Sequence, residues 1–495
     1  MIRQHGQCAR PGRFRHRGIG RRLLVLVMLL PGFASAESDL DRLHAGIVRY
    51  ALDTGDLPRA VLMARTLTGD DAAFLRARVA YASGRRALAI QSFASLASGP
   101  QAQPRAALLL ARARVAQGHP DAALPWFRQV AARGFGSARQ EALYAIATQQ
   151  RLAGDSEAAG RTLAAMEPGY WSALGYQNLA TDYANNDHSS ARALVALRVA
   201  LAMVGAETDP SRARDLRDRL LLQAGYLSYR SNDFDKAVGF LSKVSLEGPV
   251  TPEALYFHGL ALSAQGNQRA ALQSWHRAKK FPLAYPGASD AWLGTGRGYD
   301  LAGYLGQAGE AYLAANAAFE SEQVTLRKLT DTVRAQGAYE ALVANAGASE
   351  GAWFLSGSGT LRQPRQAYLM AFLEDAGAQA AVARLATLVG LEARVSRERQ
   401  DLGVLAAELR RAGRSGAPGL DRVTQALTRH SALLEDMTSA LGALQKASGA
   451  ELDRLALAFL GEQDRRMKVA SDKTEQQIAH LYDYLALQAL PEQAP

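Results

Sequence analysis

Cysteine is almost absent from this 495-residue chain, and the one present is Cys8. No intramolecular disulfide can form, and no thiolate-built zinc site is available. Histidine is sparse, nine in all, and none stands in the His-Glu-x-x-His spacing of a zinc hydrolase. No stretch reaches the ~20 consecutive apolar residues that a membrane-crossing helix needs. Runs of β-branched residues are few, which argues against sheet. What is abundant is alanine and leucine, within a total of 48% hydrophobic residues. That composition predicts an all-α protein.

The first 36 residues stand apart. Arg3, Arg10, Arg13, Arg15, Arg17, Arg21 and Arg22 form a basic leader, Leu23 to Leu30 a short apolar core, and Ala34-Ser35-Ala36 a run of small residues. The order is that of a secretory signal peptide cleaved after Ala36, with the periplasm as the expected destination. The other reading is a retained inner-membrane anchor. Arg21-Arg22 lacks the rest of a twin-arginine motif. Cys8 lies inside the leader and away from the cleavage point, so it is no lipid-attachment site. Without the leader, 50 of the 57 basic residues remain against 47 acidic ones, a net charge of about +3. The high pI therefore belongs mostly to the leader, and nucleic acid is not an expected partner.

Along the rest of the chain, small and bulky residues recur at a spacing of about 34. Gly225, Phe234, Ala237, Leu241, Val244 and Pro249 fall in order; so do Gly259, Gly266, Ala271, Trp275, Ala278 and Pro282. Trp292, Gly296, Tyr299, Gly303, Ala308, Tyr312 and Ala315 follow. The pattern resembles the tetratricopeptide repeat family, in which a Gly of helix A and an Ala, an aromatic and an Ala of helix B let two helices pack closely. The resemblance implies a right-handed α-solenoid of helical hairpins, each covering its neighbour's apolar stripe. It also implies a role in holding protein partners, with no cofactor and no enzymatic activity.

The same signature extends towards the N-terminus. Gly55, Leu57 and Ala60 mark a turn and the start of a second helix; Gly84, Ala89 and Phe93, then Gly118, Ala123 and Phe127, then Gly154, Ala159, Leu163 and Met166 repeat the arrangement. Gly55-Asp56, His119-Pro120-Asp121 and Gly154-Asp155 combine a left-handed stop with a helix start. A repeat opening at Trp171 has its second helix delayed to near Ala191, and Asp209-Pro210 begins another helix. About eight hairpins are expected between residues 38 and 320, within a solenoid domain over 37–320. A degenerate helical region is expected over 321–412, with a Gly/Ser loop at 347–359.

The C-terminal region differs in kind. Val423, Leu427, His430, Leu434, Met437, Leu441 and Leu444 alternate in steps of four and three, the seam of a coiled coil. A second amphipathic run, Glu451 to Leu490, offers Leu455, Phe459, Ile478, Leu481 and Leu485 as core, while its polar middle, 463–477, suits a projecting segment. Two arrangements fit. The two runs fold on each other as a hairpin over 420–490, turning at Ser448-Gly449, or they pair with other chains, including a second copy.

In the family, helix A lines the concave face that holds ligands. Carried over to this sequence, that face comprises Arg219, Leu222, Tyr226, Tyr229 and Arg230, then Glu253, Tyr256, Leu260 and Ser263, then Asp290, Leu293, Arg297 and Asp300. Tyrosine and arginine contribute strongly when desolvated in a groove, and arginine pairs bidentately with a carboxylate. A partner peptide or helix in that groove is the sharp expectation; the plain one is that Tyr226 and Tyr256 pack within the stack. Gly294, Gly296 and Gly298 lack the strand and spacing of a phosphate loop, and Ser356-Gly357-Ser358-Gly359 lacks those of a nucleophile elbow. The competing class, a superhelical cell-wall lytic enzyme, has no catalytic signature in the region after the repeats. The expected function is a scaffold for a bacterial cell-envelope complex.

Overall fold

The computed structural model describes residues 39–69, 71–99, 102–187, 189–343, 364–413 and 420–489. The leader, the Gly/Ser stretch 347–359 and residues 414–419 lie outside the described residues. Among the described residues every element is helical. The chain divides into two compact units, meeting between Trp126 and Phe127.

The first unit contains α1 (Asp39–Asp53), α2 (Leu57–Thr66), α3 (Ala72–Ala82), α4 (Arg86–Ser98), α5 (Pro104–Ala116) and the start of α6 (Pro120–Arg133). Its core is rich in alanine and includes Ala60, Leu75, Ala77, Ala89, Phe93 and Leu110, all buried. Phe93 fills the space between Phe74 and Tyr81, with ring centroids at 6.3 and 6.4 Å.

The second unit continues with α7 (Gly136–Leu152), α8 (Ser156–Ala164), α9 (Tyr170–Asn186), α10 (Ala191–Val204), α11 (Pro210–Arg230) and α12 (Phe234–Leu241). Then come α13 (Thr251–Ala264), α14 (Gln268–Ala278), α15 (Ala288–Leu301) and α16 (Leu305–Gln336). Taken in successive pairs, α1 to α16 follow the order of the eight expected hairpins, and α1–α2, α3–α4, α7–α8, α9–α10, α11–α12, α13–α14 and α15–α16 pack as such. The delayed helix of the fifth begins at Ala191, where the sequence placed it. Local chemistry sets the turns. Gly55, Gly84, Gly118, Gly154, Gly266 and Gly303 adopt φ between 73° and 83°, a conformation that stops the first helix of a pair. The sixth hairpin has no glycine there, and Asn232 takes φ 58° instead. The second helices then start on side-chain caps: Asp155 accepts from Ala158 N at 2.8 Å, and Asp56, Asp233 and Asn267 do the same three residues on, each at 3.2 Å.

Packing explains the repeat. Gly225, Gly259 and Gly296 each face a bulky residue sixteen positions later, Leu241, Trp275 and Tyr312. A Cβ on any of these glycines would overlap that side chain. The absent side chain is what lets the bulky one in, so Trp275 and Tyr312 are 1% and 2% exposed. Burial of a side chain of that size stabilises by about 1.5–3 kcal/mol.

Beyond the repeats three expectations are corrected. The boundary expected at 320/321 falls inside α16, a helix of 32 residues whose apolar spacing continues through Phe319, Leu326 and Val333. A π-helical turn (Tyr339–Val343), α17 (Pro364–Phe372) and α18 (Ala376–Gly413) follow. Next, no turn forms at Ser448-Gly449: α19 runs unbroken from Leu420 to Ala489, 70 residues. One helical glycine costs about 1 kcal/mol, less than the packing available on both sides of it. A C-terminal antiparallel hairpin does exist, but its arms are α18 and the first half of α19. Gln445 Nε2 donates to Leu388 O at 3.3 Å and to Glu392 Oε2 at 2.8 Å, beside a core of Leu388, Val395, Leu434 and Leu441.

Last, the polar middle of α19 does not project. It lies antiparallel on α16: Asp453 Oδ1 accepts from Ala338 N at 2.6 Å, Ser471 Oγ donates to Asn316 Oδ1 at 2.5 Å, and Leu481 packs with Ala308 and Tyr312. Met467, Ala470, Ser471 and Thr474 are the buried residues of that stretch. Their helical spacing makes a narrow stripe of mostly small residues, and the long charged side chains that surround it disguised the stripe. Thr474 satisfies its own hydroxyl by donating to Ala470 O at 2.7 Å.

Candidate functional site: a cavity between the repeats and the C-terminal helix

The site expected from the family lies on the first helices of the last three hairpins, α11, α13 and α15. The structure brings part of it together. Tyr229, Tyr256, Leu260, Ser263, Asp290, Leu293, Arg297 and Asp300 line one cavity of about 840 Å³. Its floor includes Trp275 and Tyr312, the bulky residues that fill the hairpins. A smaller cavity of about 440 Å³ adjoins it, sharing Asp290, Leu293 and Lys473. The gap between α15 and α19 therefore continues from Glu462 to Gln477.

Lys473, Gln476 and Gln477 of α19 form the facing wall, and no residue pattern near the repeats could have named them. Arg466 anchors that wall by donating from Nη2 to Ser289 Oγ at 3.0 Å. What the sequence did carry was the amphipathic spacing of the second C-terminal run, without its destination.

Arg219, Tyr226 and Arg230 do not line the cavity. Tyr226 packs on Phe257 with ring centroids 4.9 Å apart, and the Arg230 guanidinium sits 5.7 Å from the Tyr226 ring centroid. Arg219 Nε turns back to donate to Asp215 O at 3.3 Å. Leu222 joins the core beneath α12, and Glu253 stands half-buried near the cavity.

The electrostatics of the cavity is mixed, with Asp290, Arg297 and Asp300 all on α15 and Lys473 on α19. Burial, then the Asp290 carboxylate, pushes the Tyr256 hydroxyl up to about 12, so it remains a neutral donor. Burial likewise raises Glu253, with further upward pressure from Glu374 and Asp290 and relief from Arg466. Asp290 and Asp300 thus offer acceptors, Arg297 and Lys473 offer cationic donors, and two tyrosines add apolar faces with polar tips. A groove with donors and acceptors of both signs suits the backbone amides and charged side chains of a peptide.

One Ser–His pair calls for comment. His258 Nδ1 lies 2.9 Å from Ser274 Oγ. The hydroxyl is buried between α13 and α14 and also donates to Ala270 O at 3.2 Å, and burial lowers the imidazole's pKa. An enclosed hydroxyl tied to its own helix is a packing contact with no access for a substrate.

No family model matches the chain, and no curated protein does. Solved structures with a similar arrangement of helices include the C-terminal part of a TPR repeat-containing protein from Cytophaga hutchinsonii, 13% identical, covering 55% of this chain and 89% of that one at a TM-score of 0.29. A tetratricopeptide repeat protein from Parabacteroides merdae is 13% identical, covering 56% and 93% at 0.24. The APC/C hetero-tetramer Cut9–Hcn1 is 12% identical, covering 87% and 97% at 0.24. At such scores the likeness reaches no further than helical hairpins in series. The hairpins' own geometry says more: glycine-stopped turns, capped second helices, and a helix-A glycine admitting a bulky residue sixteen positions on. By that geometry this is an all-α chain of tetratricopeptide-like repeats.

Proposed function

We propose that this protein is an exported scaffold that holds a protein partner of a bacterial cell-envelope complex, gripping an extended segment of it in the cavity between α13, α15 and α19. The observation that carries the reading is the cavity itself, where side chains from six helices converge with paired signs of charge and no nucleophile–base geometry. An extended strand of peptide fits better than a helix, because α19 already occupies the flank where a second helix would lie. Stacked hairpins hold such a groove preformed, which lowers the ordering cost of binding. Export is supported by the basic leader, short apolar core and Ala34-Ser35-Ala36.

The test is photo-crosslinking in cells from positions 260 and 477, followed by mass spectrometry, alongside fractionation with N-terminal sequencing. The expected result is one recurrent partner in the soluble envelope fraction and a mature terminus at residue 37. Its capture should fall at least about tenfold in a Tyr229→Ala/Arg297→Ala double variant that keeps its helicity. A folded double variant that captures the same partner undiminished overturns the groove; an uncleaved, membrane-bound chain overturns the localisation.

A further inference from the structure

The arm formed by α18 and the first half of α19 leaves an apolar seam outside. The expected coiled-coil positions divide between two faces. Leu434 and Leu441 are 2% and 8% exposed against α18, whereas Val423, Met437 and Leu444 are 47%, 41% and 54% exposed. The burial pattern explains the split. The face meeting α18 runs through 427, 431, 434, 438, 441, 445 and 448, in steps of four and three. One residue behind it runs a second series with the same steps, Ala426, His430, Leu433, Met437, Ala440 and Leu444, all exposed. A two-helix arm can bury only one of these seams.

We propose that this outer seam joins two copies of the chain, with α19 of each lying antiparallel to α19 of the other about residue 435. A repeat of four and three is the spacing that packs against another helix of the same period. The sizes then identify the occupant. Turned end for end about residue 435, Ala426 faces Leu444, His430 faces Ala440, and Leu433 faces Met437. Two of the three facing pairs set a small residue against a large one, and the third puts two large apolar residues, Leu433 and Met437, at the centre. A two-fold axis is what makes one seam complementary to itself. The seam is continuous with the α18–α19 core, so the pair would form a four-helix bundle, the usual way such an arm covers its apolar faces. One cost is visible: the two Asp436 carboxylates approach across the axis, at a solvent-exposed rim where repulsion is weak. This inference does not depend on the peptide groove, which lies on the other half of α19.

Sedimentation equilibrium of the full chain over a concentration series tests it. The expected behaviour is reversible monomer–dimer association, weakened at least about 100-fold by Leu433→Glu/Met437→Glu, which buries charge at the seam. Val404→Glu, at an exposed position of α18 outside the pairing, should leave association unchanged, and circular dichroism should show all variants equally helical. In a Cys8→Ser background, Leu433→Cys mixed with Met437→Cys should crosslink faster than either alone. A monomer at every concentration, or a dimer indifferent to the double charge substitution, overturns the proposal. Faster crosslinking between identical positions overturns the antiparallel pairing.

Discussion

At the scale of single residues, two kinds of glycine behave oppositely. Gly259 is a socket: a methyl there would strike the Trp275 indole, whose Nε1 donates to Tyr256 O at 3.1 Å. Gly461, in the middle of α19, has nothing within 4 Å of where a Cβ would stand. Gly259→Ala should therefore destabilise the protein by about 1–3 kcal/mol through overpacking. Gly461→Ala should stabilise it by about 0.5–1 kcal/mol through helix propensity. Thermal melts of the two variants beside the parent check both signs. Sockets of the first kind were legible in the sequence, because each recurs with its bulky partner at a fixed interval. The role of Asn232 was not, since asparagine at a turn carries no period of its own.

At the scale of elements, α16 and α17 are tied by a carboxylate. Tyr368 donates its hydroxyl to Glu322 Oε1 at 2.6 Å. Burial raises the Glu322 pKa above its ordinary 4.5, and the hydrogen bond only partly offsets this. The folded state therefore holds this proton more tightly than the unfolded chain does. Between the folded value and 4.5 the folded form binds more protons, so stability rises as pH falls through that window and gains no more below it. Glu253 is shifted the same way. Glu322→Gln should raise the melting temperature at neutral pH and shrink the gain on acidification; melts from neutrality down to pH 4.5 measure it. An unaltered pH profile in the variant would assign the effect elsewhere.

Element positions were readable to different depths. Helix starts at Asp56, Asp155 and Asp209-Pro210 follow from capping chemistry and stand where the residues put them. The expected α19 seam and the face buried against α18 share Leu427, Leu434 and Leu441 but differ by one residue at the positions between, His430, Met437 and Leu444 against 431, 438 and 445, and only contact with α18 chooses between them. Ser448-Gly449 reads as a turn in isolation. Tertiary packing overrides that preference, with Ser448 buried and Leu452 and Ala456 continuing the stripe.

At the scale of the whole molecule, the repeat stack is closed by a helix that starts more than a hundred residues after Gly303, the turn glycine of the last hairpin. Solenoids need an end that covers the final apolar face. Here the second half of α19 covers α16, burying Leu452, Leu460 and Met467 in one core with Phe319, Leu326 and Tyr368. A chain ending at residue 413 should lose more helicity than the deleted residues account for, melt at lower temperature, and bind a hydrophobic dye. Circular dichroism normalised per residue, with dye fluorescence, checks this; proportionate loss of helicity would show that α16 stands without its cover. The stack was readable because repeats are local and periodic. The cavity wall was not, because Lys473 and Asp290 come to line one cavity only through folding.

The uninterrupted rod of α19 has one more consequence. Met437 and Lys473 belong to the same stiff axle, about 54 Å apart at the rise of an α-helix. A rotation imposed where the arm is grasped can reach the wall that flanks Arg297 along one unbroken helix. Joining the arm and loading the groove would then be two ends of one mechanical act.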